Sequence, residues 1–314
     1  MKLLYWTQAY EPLARELIAR EEQEFTAGEL KRDTFPDGER YWRNMTHVKD
    51  ADCTILGGTD SIENIFEILN LGYQLTTNGA KSLTIVIPYF GYQTMERSSN
   101  NGEIIMAKNM AHWLSEIPPA AHGNKIVMLE LHTDAIAYYF SPNVRAVPLS
   151  ASSVVMKACV ELAGTSFVLG STDVGRAKAI EYIHRDFMAK NRGYKIETAF
   201  VYKRRDDGTH TEITGINADV ADKTVVIYDD MIRTGGSLLK AAKIYTDAGA
   251  RAVYAVTTHG VFPGDAADRI RTSGLIESIA MTNSHPNARN VCACPHNKGF
   301  YRLFSIGGLL SRYI

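Results

Sequence analysis

Short apolar runs alternate with amphipathic stretches along most of this chain. The apolar runs are rich in β-branched residues and are bounded by polar residues, which is typical of buried strands. They lie at residues 82–88, 125–131, 166–170, 197–202, 224–228 and 251–256. Strands that alternate with helical stretches predict an α/β fold of mainly parallel sheets flanked by helices.

Two of the intervening stretches repeat apolar residues at helical spacing. The first has an apolar face made of Ile62, Ile65, Phe66, Leu69 and Tyr73. The second has a similar face made of Ile104, Ala107, Ala111 and Leu114. Both stretches are therefore predicted to be helices that cover a sheet.

The predicted strands and helices fall into two halves, which indicates two domains. The segment at 150–164 connects the halves, so the boundary is expected near Leu149, with domains at 1–149 and 150–300. The polar segment at 206–217 is expected to form a mobile loop. The tail at 301–314 is predicted to be an apolar helix that packs back on the first domain.

Composition narrows the class of protein. The chain has 314 residues and a net charge of −1, and this balance disfavours nucleic-acid binding, which usually needs a basic surplus. No apolar run is long enough for a membrane span, and the N-terminus lacks the apolar core of a signal peptide. A cytoplasmic protein is therefore expected, with neither membrane nor nucleic acid as a partner.

The cysteines raise the question of a metal site. There are 4 of them, too few for a disulfide framework in a chain of this length. Cys292 and Cys294 lie close to His285 and His296, a set of residue types that suits zinc. The second Cys-x-x-Cys pair of common zinc sites is missing, so a reduced structural pair is the preferred interpretation.

The strongest local motif is the stretch at 225–239, where a strand leads through a glycine-rich turn into a helix. The strand brings Asp229 and Asp230 to its carboxyl end, where open α/β sheets bind ligands. The turn and the helix start offer backbone N–H groups to a phosphate. Aspartates would repel that phosphate unless they accept hydrogen bonds from sugar hydroxyls nearby.

The motif therefore predicts a site for a phosphorylated sugar. Its expected contacts are Asp229, Asp230, Arg233, Thr234, Gly235, Gly236 and Ser237. The alternative is a plain turn in which Ser237 caps the helix. The aspartate pair in front of the turn favours the sugar-phosphate site.

This loop resembles the signature of type I phosphoribosyltransferases, and further segments resemble the ribose-phosphate diphosphokinase family in their order and spacing. These segments are 34–40 (TFPDGER), 85–97 (IVIPYFGYQTMER), 129–140 (LELHTDAIAYYF), 170–177 (GSTDVGRA) and 200–205 (FVYKRR). The resemblance implies two tandem type I phosphoribosyltransferase-like domains. It also implies Mg²⁺-dependent transfer of the diphosphoryl group of ATP to the C1 hydroxyl of ribose 5-phosphate, giving phosphoribosyl diphosphate and AMP.

The resemblance further implies roles for single residues. The adenine-binding element, which in this family usually reaches in from a neighbouring subunit of a homo-oligomer, corresponds to Phe35, Asp37 and Glu39. The magnesium-site residues correspond to His132 and Asp173. The cations of the mobile catalytic loop correspond to Lys203 and Arg205. Without the resemblance, the segment at 35–39 would be interpreted as a tight turn and His132 as a structural histidine. Lys203 and Arg205 would be interpreted as part of a solvated basic turn.

The chain departs from the family pattern in three places. The Arg-Gln-Asp that usually helps to hold ATP is replaced by Thr94, Met95 and Glu96, and Arg97 is the suggested substitute. Two glutamines and a glycine that shape subunit contacts and regulation in much of the family are replaced by Ala135, Ala137 and Tyr138. Oligomeric form and phosphate activation therefore do not carry over. The usual aspartate before Thr234 is replaced by Arg233.

Arg233 reverses the charge at the rim of the loop and leaves alternatives open. An arginine fork binds phosphate bidentately, so a larger acceptor such as ADP-ribose is one alternative. The other is a side chain that points to solvent or pairs with a nearby acid. A non-catalytic regulatory paralogue is suggested by the loss of Arg-Gln-Asp. A phosphoribosyltransferase that consumes the diphosphate is disfavoured by the element at 35–39.

Overall fold

The computed structural model describes residues 1–20, 25–206 and 210–314, without the side chains of residues 203–206 and 210–214. The chain divides into two compact units, one formed by Met1–Ser150 with Gly307–Ile314 and one formed by Ala151–Ile306. Each unit contains a parallel sheet flanked by helices, which confirms the predicted α/β fold. None of the described helices is long and apolar enough to cross a membrane.

The first unit is built on one parallel sheet. Its strands are β1 (Lys2–Trp6), β2 (Phe25–Ala27), β3 (Leu30–Thr34), β4 (Arg40–Asn44), β5 (Asp52–Leu56), β6 (Ser82–Ile87), β7 (Asn124–Leu129) and β8 (Val144–Leu149). Its helices include α1 (Glu11–Ile18), α2 (Ile62–Thr77) and α3 (Met106–Ser115). The sheet order is β2-β1-β5-β6-β7-β8, and β3 and β4 form a separate antiparallel hairpin. The hydrophobic core lies between the sheet and the buried sides of α2 and α3.

The second unit repeats this plan. Its helices are α4 (Ser152–Ala163), α5 (Ala177–Lys190), α6 (Gly236–Asp247), α7 (Ala266–Thr272) and α8 (Pro286–Ala293). Its strands are β9 (Ser166–Ser171), β10 (Lys195–Ala199), β11 (Val201–Asp206), β12 (His210–Ile216), β13 (Thr224–Ile232), β14 (Ala252–Gly260), β15 (Ile279–Thr282) and β16 (Tyr301–Phe304). The parallel sheet has the order β10-β9-β13-β14-β15-β16, and β11 pairs with β12 in an antiparallel hairpin. The chain then returns to the first unit as the short helix α9 (Gly307–Leu310).

Helix α2 confirms the predicted helix but turns a different side to the sheet. The helix starts at Ser61, whose hydroxyl accepts a hydrogen bond from the backbone N–H of Asn64 at 3.2 Å. The buried side carries the aliphatic residues Ile65, Ile68, Leu71 and Leu75, together with Gly72 and the polar residues Asn64, Glu67 and Thr76. Of the rest of the predicted face, Leu69 is partly buried and packs against the core. The other three residues face outward, with exposed fractions of 73% for Ile62, 53% for Phe66 and 58% for Tyr73. The hydrophobic periodicity predicted the wrong buried side because this helix has apolar residues on more than one side.

Helix α3 differs from its prediction at one position. Ala107, Ala111 and Leu114 are buried as expected. Ile104 precedes the first residue of the helix and is exposed, so it does not belong to the apolar face.

Several predicted strands differ from the observed ones in extent. The run at 197–202 covers the end of β10 and the start of β11, because the backbone N–H of Phe200 leaves the ladder and donates to Asn217 Oδ1 at 2.6 Å. The runs at 224–228 and 251–256 continue as β13 and β14 to Ile232 and Gly260. These two strands pair along that whole length.

Two loop and tail predictions are wrong. The loop expected at 206–217 is a strand over His210–Ile216, because that backbone pairs with β11; residues 207–209 lie outside the described part of the chain. The helix expected at 301–314 begins as strand β16, because Tyr301–Phe304 pairs with β15 and buries Tyr301 at the sheet edge. Only Gly307–Leu310 is helical.

Candidate functional site

The two aspartates of the predicted sugar site lie in the extended end of β13. The neighbouring strand β9 pairs with β13 only as far as Tyr228 and Ser171, whereas β14 pairs with it to Ile232. Asp229 and Asp230 therefore lie where the edge of β13 is open toward the segment that follows β9. Asp230 is 2% exposed, and Asp229 is half-buried.

The segment after β9 supplies partners for both carboxylates. The hydroxyl of Thr172 donates to Asp229 Oδ2 at 3.2 Å. Arg176 Nε lies 3.6 Å from Asp229 Oδ1, and its Nη2 forms an ion pair with Asp230 Oδ1. The hydroxyl of Ser171 donates to the carbonyl of Asp173 at 2.7 Å and orders the turn.

The charges of this cluster are balanced only in part. Burial, followed by the charge of Asp230, raises the pKa of Asp229 to about 8, although Arg176 acts in the opposite direction. Two carboxylates against one guanidinium share a proton more readily than isolated aspartates do. The pair is therefore suited to bind hydroxyl groups, which both donate and accept.

The predicted phosphate loop follows directly on β13. Gly235 adopts a left-handed conformation with φ of 78°, and helix α6 begins at the next residue. A Cβ at Gly235 would lie 2.4 Å from Ile270 Cδ1, so the loop packs closely against α7 on one side. Arg269 of α7 also donates from Nη2 to the carbonyl of Thr234 at 2.7 Å.

The side of this loop that does not contact α7 is exposed. Thr234, Gly236 and Ser237 are exposed at the start of the 12-residue helix α6, and no side chain caps that start. The alternative in which Ser237 caps the helix is therefore not observed. Exposed backbone N–H groups at a helix N-terminus bind a phosphate group. Acid pair and phosphate loop thus stand next to each other, as a sugar phosphate requires.

Arg233 stands at the rim of the phosphate loop. Its side chain is exposed, and within the described ranges it has neither an ion pair nor a hydrogen bond to another side chain. The expected alternative in which it pairs with a nearby acid is therefore not found among the described residues. None of the described side chains therefore competes with a ligand for its guanidinium.

The predicted adenine-binding residues lie at the tip of the β3–β4 hairpin. Gly38, with φ of 96°, makes the turn, and the backbone N–H of Phe35 donates to the carbonyl of Glu39 at 2.8 Å. The ring of Phe35 is exposed and contacts Tyr41 edge-on at 5.6 Å. Asp37 is exposed as well. The segment therefore forms the tight turn and also exposes the aromatic ring and the carboxylates that the family resemblance assigns to adenine binding.

The segment at 94–96, where a departure from the family pattern is predicted, lies between two anchoring contacts. Gln93 is buried and accepts a hydrogen bond at Oε1 from the backbone N–H of His132 at 2.8 Å. The hydroxyl of Tyr139 donates to the carbonyl of Glu96 at 2.6 Å. Thr94 and Met95 are exposed between these anchors. Arg97 is exposed too and lies 3.5 Å from Glu96.

The predicted metal residues each follow the carboxyl end of a parallel strand. His132 follows β7 in the first unit, after a residue with φ of 42°, Glu130. Asp173 follows β9 in the second unit and is half-buried. A carboxylate is the hard oxygen ligand that Mg²⁺ prefers, and an imidazole binds metal-bound water. Each residue, taken in its own unit, is therefore of a type that suits Mg²⁺ binding.

The structure adds little about the predicted catalytic cations and the cysteines considered as zinc ligands. Lys203 and Arg205 belong to β11, beside a register shift between Tyr202 and Lys203, and their side chains lie outside the described residues. Cys292 and Cys294 are free thiols, and burial raises the pKa of Cys292 to about 11. No group of three or more potential metal ligands occurs among the described residues.

The sequence-based prediction did not include Arg176, Thr172 or Arg269. Arg176 and Thr172 lie inside the motif at 170–177, so their proximity to Asp173 was the signal that could have found them. Arg269 carries no such signal, because it reaches the loop from α7.

Comparison with known proteins agrees with this geometry. Residues 2–117 match the family model described as the N-terminal domain of ribose phosphate pyrophosphokinase. Residues 209–302 match the phosphoribosyl synthetase-associated domain. In the solved phosphoribosylpyrophosphate synthetase from Mycobacterium smegmatis, the fold superposes with a TM-score of 0.83 at 24% identity, over 99% of this chain and 96% of that one.

Curated relatives match over most of the sequence. The ribose-phosphate pyrophosphokinase of Chromobacterium violaceum is 32% identical, over 88% of this chain and 80% of its own length. That of Thermococcus kodakarensis is 31% identical over 82% of this chain and 85% of its own length. That of Buchnera aphidicola is 30% identical over 89% and 84%. The chain therefore belongs to the ribose-phosphate pyrophosphokinase family.

Proposed function

We propose that this protein transfers the β,γ-diphosphoryl group of ATP to the C1 hydroxyl of ribose 5-phosphate. The observation that carries the proposal is the buried acid pair, Asp229 and Asp230, directly beside the open phosphate loop at the start of α6. The names of the curated relatives, each a ribose-phosphate pyrophosphokinase, support it.

The residues of the second unit bind and orient the acceptor. The 5-phosphate accepts hydrogen bonds from the backbone N–H groups of Thr234, Gly236 and Ser237 and from the hydroxyls of Thr234 and Ser237. The 2- and 3-hydroxyls of the ribose donate to Asp229 and Asp230. This two-point attachment leaves the C1 hydroxyl free to react, because neither contact involves it.

The reaction forms one bond and breaks one. The C1 oxygen attacks the β-phosphorus of ATP, the bond from that phosphorus to the oxygen it shares with the α-phosphate breaks, and AMP leaves. The C1 hydroxyl proton is lost to solvent. Positioning and charge stabilisation account for most of the catalysis in such transfers. We assign the charge stabilisation to Lys203 and Arg205 and nucleotide binding to Phe35, Asp37, Glu39 and Arg97.

Magnesium is part of the proposal. Mg²⁺ neutralises charge on the phosphates of ATP when it is bound. Asp173 would supply a carboxylate oxygen and His132 an imidazole. The remaining ligands of Mg²⁺ in nucleotide enzymes are usually phosphates and water.

AMP release tests the proposal. Purified protein is incubated with ATP and Mg²⁺, with and without ribose 5-phosphate, and AMP is followed by chromatography. We expect AMP only in the presence of the acceptor, and its loss in Asp230→Asn. The variant Asp247→Asn, at an exposed site on α6, is the control and should release AMP normally. If wild type binds ribose 5-phosphate but releases no AMP, the protein is the regulatory paralogue instead.

A second acceptor is suggested by Arg233, whose exposed side chain pairs with no acid among the described residues. ADP-ribose carries a diphosphate on C5 and offers the same C1 hydroxyl, and the guanidinium would bind its additional phosphate. AMP release from ATP with ADP-ribose as acceptor tests this candidate. The variant Arg233→Asp should shift the preference toward ribose 5-phosphate, and an unchanged preference would exclude a role for Arg233 in acceptor choice.

A homo-oligomer is the proposed working form. Phe35 stands exposed at the hairpin tip, where a neighbouring copy would contact it. The outward side of α2 carries Ile62, Phe66 and Tyr73 in the same unit. An exposed apolar patch of this kind is typical of a protein interface.

A further inference from the structure

Arg176 contacts both carboxylates that are proposed to hold the ribose hydroxyls. Its Nη2 pairs with Asp230 Oδ1, and its Nε lies 3.6 Å from Asp229 Oδ1. The exposed fractions of the three side chains are 15% for Arg176, 17% for Asp229 and 2% for Asp230. The guanidinium is thus enclosed together with the two acids and is not a surface charge.

The helix that follows Arg176 does not explain its presence. Arg176 is the N-cap residue of α5 and makes no capping hydrogen bond with its side chain. A cation at a helix N-terminus is unfavourable, because the helix dipole places partial positive charge there. The ion pairs with Asp229 and Asp230 must therefore account for an arginine at this position.

The guanidinium controls whether the acids can accept hydrogen bonds. Two buried carboxylates next to each other repel, and removal of the cation beside them strengthens the tendency of one to take up a proton and become a donor. Burial and Asp230 already raise the pKa of Asp229 despite Arg176. A guanidinium offers donors in a fixed planar fork, so it can hold one oxygen of each of two carboxylates at once. The second oxygens keep lone pairs for a ligand, although Asp229 Oδ2 also accepts from Thr172.

We propose that Arg176 is a positioning residue that keeps Asp229 and Asp230 ready to accept the 2- and 3-hydroxyls of ribose. It thereby makes the enzyme prefer ribose phosphates over deoxyribose phosphates. This inference rests on the proposed function, because it assigns the sugar hydroxyls to the acid pair. It adds a source of acceptor specificity outside the phosphate loop.

The test compares ribose 5-phosphate with 2-deoxyribose 5-phosphate as acceptors for AMP release. In wild type we expect kcat/KM to be at least about tenfold higher for ribose 5-phosphate, since a hydrogen bond to a charged group is lost with the 2-hydroxyl. In Arg176→Gln the preference should fall toward unity, mainly through a higher KM for ribose 5-phosphate, with the KM for ATP unchanged. Arg176→Lys should restore part of the preference, because it keeps the charge but not the fork.

The control variant is Arg185→Gln, which removes an exposed arginine from the same helix, α5. It should retain the wild-type preference. Equal losses for both acceptors in Arg176→Gln would mean that Arg176 only stabilises the fold and would overturn the proposal. So would a wild-type enzyme that does not discriminate between the two acceptors, a result that needs no variant to fold.

Calorimetric titration of both sugar phosphates without ATP separates this inference from the proposed function. If wild type releases no AMP, the proposed function fails, yet the binding preference can still be measured. Preferential binding of ribose 5-phosphate that is lost in Arg176→Gln and kept in Arg185→Gln supports the inference. Equal binding of the two sugar phosphates to wild type, or no binding of either, overturns it.

Discussion

Gly235 and Gly236 are neighbours in the phosphate loop, but only one of them is required by the backbone. Gly235 has a φ of 78°, and a Cβ there would lie 2.4 Å from Ile270 Cδ1. At Gly236 the nearest atom to such a Cβ is Thr234 Oγ1 at 3.9 Å. L-amino acids with a side chain rarely adopt the conformation of Gly235.

We expect Gly235→Ala to lower the free energy of unfolding by about 1–3 kcal/mol, because strain in the left-handed region adds to the clash with Ile270. Gly236→Ala is the matched control and should change it by less than about 0.5 kcal/mol. Denaturant unfolding of the three proteins measures both values. Equal destabilisation by the two variants would contradict the assignment of strain to Gly235.

Asp229 predicts how sugar binding responds to pH. Burial and the charge of Asp230 raise its pKa to about 8. Ribose 5-phosphate itself is fully ionised above about pH 7. Its affinity, measured by calorimetry between pH 7 and 9, should therefore rise as Asp229 loses its proton and becomes a pure acceptor. Asp229→Asn should bind more weakly at all pH values and should not show this rise.

The same carboxyl contributes to stability with the opposite sign. In the unfolded chain it loses its proton near about pH 4. Between this pH and about 8 the folded state holds more protons than the unfolded state, so this contribution to stability decreases as pH rises. Better sugar binding and lower stability of the free protein are thus two results of one buried acid.

At the level of residues, the sequence predicted the loop well and the cluster around it poorly. The aspartates, the glycines and the helix start could be predicted because they are consecutive along the chain. The ion pair of Arg176 could not, because it joins the ends of two neighbouring strands, β9 and β13. Sequence spacing contains no information about which strands are neighbours.

Helix α2 shows how an element can be predicted correctly and oriented wrongly. Its aliphatic side, with Ile68 and Leu75, packs on the sheet, whereas Phe66 and Tyr73 lie outside. Trp42 of β4 contacts Phe66 with ring centroids 5.6 Å apart, so the outward side continues onto the hairpin. Hydrophobic periodicity reveals a helix but cannot rank two apolar sides.

We expect the outward side of α2 to lie in the subunit interface of the proposed homo-oligomer. Tyr73→Asp should lower the molar mass measured by light scattering after size-exclusion chromatography, because a buried carboxylate is costly at an apolar contact. Tyr182→Asp is the control, since Tyr182 is 53% exposed on α5 of the second unit. A wild-type monomer, or a Tyr73→Asp oligomer of unchanged mass, would exclude this surface.

The tail and the β11–β12 hairpin were mispredicted for a common reason. Strand β16 completes the edge of a sheet beside β15, and β12 exists only because β11 pairs with it. Such short strands are stabilised by their partners more than by their own residues. Patterns within a segment are therefore weak evidence for edge strands and hairpins. The buried strands β6, β7 and β9 were found from sequence, but the equally buried β1 and β5 were missed.

The molecule as a whole consists of two units with the same plan, and the proposed reaction draws on both. The hairpin residues and His132 belong to the first unit, and the sugar site and Asp173 belong to the second. The family and its chemistry could be predicted from the sequence because the motifs of both units occur in the family's order. The positions at which departures are predicted, 94–96 and 233, lie outside the strands of both sheets.

Loss of magnesium should stop the reaction. EDTA should abolish AMP release, and His132→Ala and Asp173→Asn should each raise the Mg²⁺ concentration for half-maximal AMP release by roughly tenfold or more. The control variants are His122→Ala in the first unit and Asp222→Asn in the second. Both replace exposed residues, and both variants should need the same Mg²⁺ concentration as wild type. An unchanged Mg²⁺ requirement in either test variant would remove that residue from the magnesium site.

The exposed position of Arg233 has an evolutionary consequence. Its neighbour Ile232 is buried in the core, and Gly235 packs against Ile270 of α7. The side chain of Arg233 is exposed and makes no ion pair or side-chain hydrogen bond within the described part of the chain. Selection can therefore change this single codon without a penalty in folding. An ancestral enzyme could explore acceptors that differ at C5 one substitution at a time, and a small library at this codon would repeat that exploration in the laboratory.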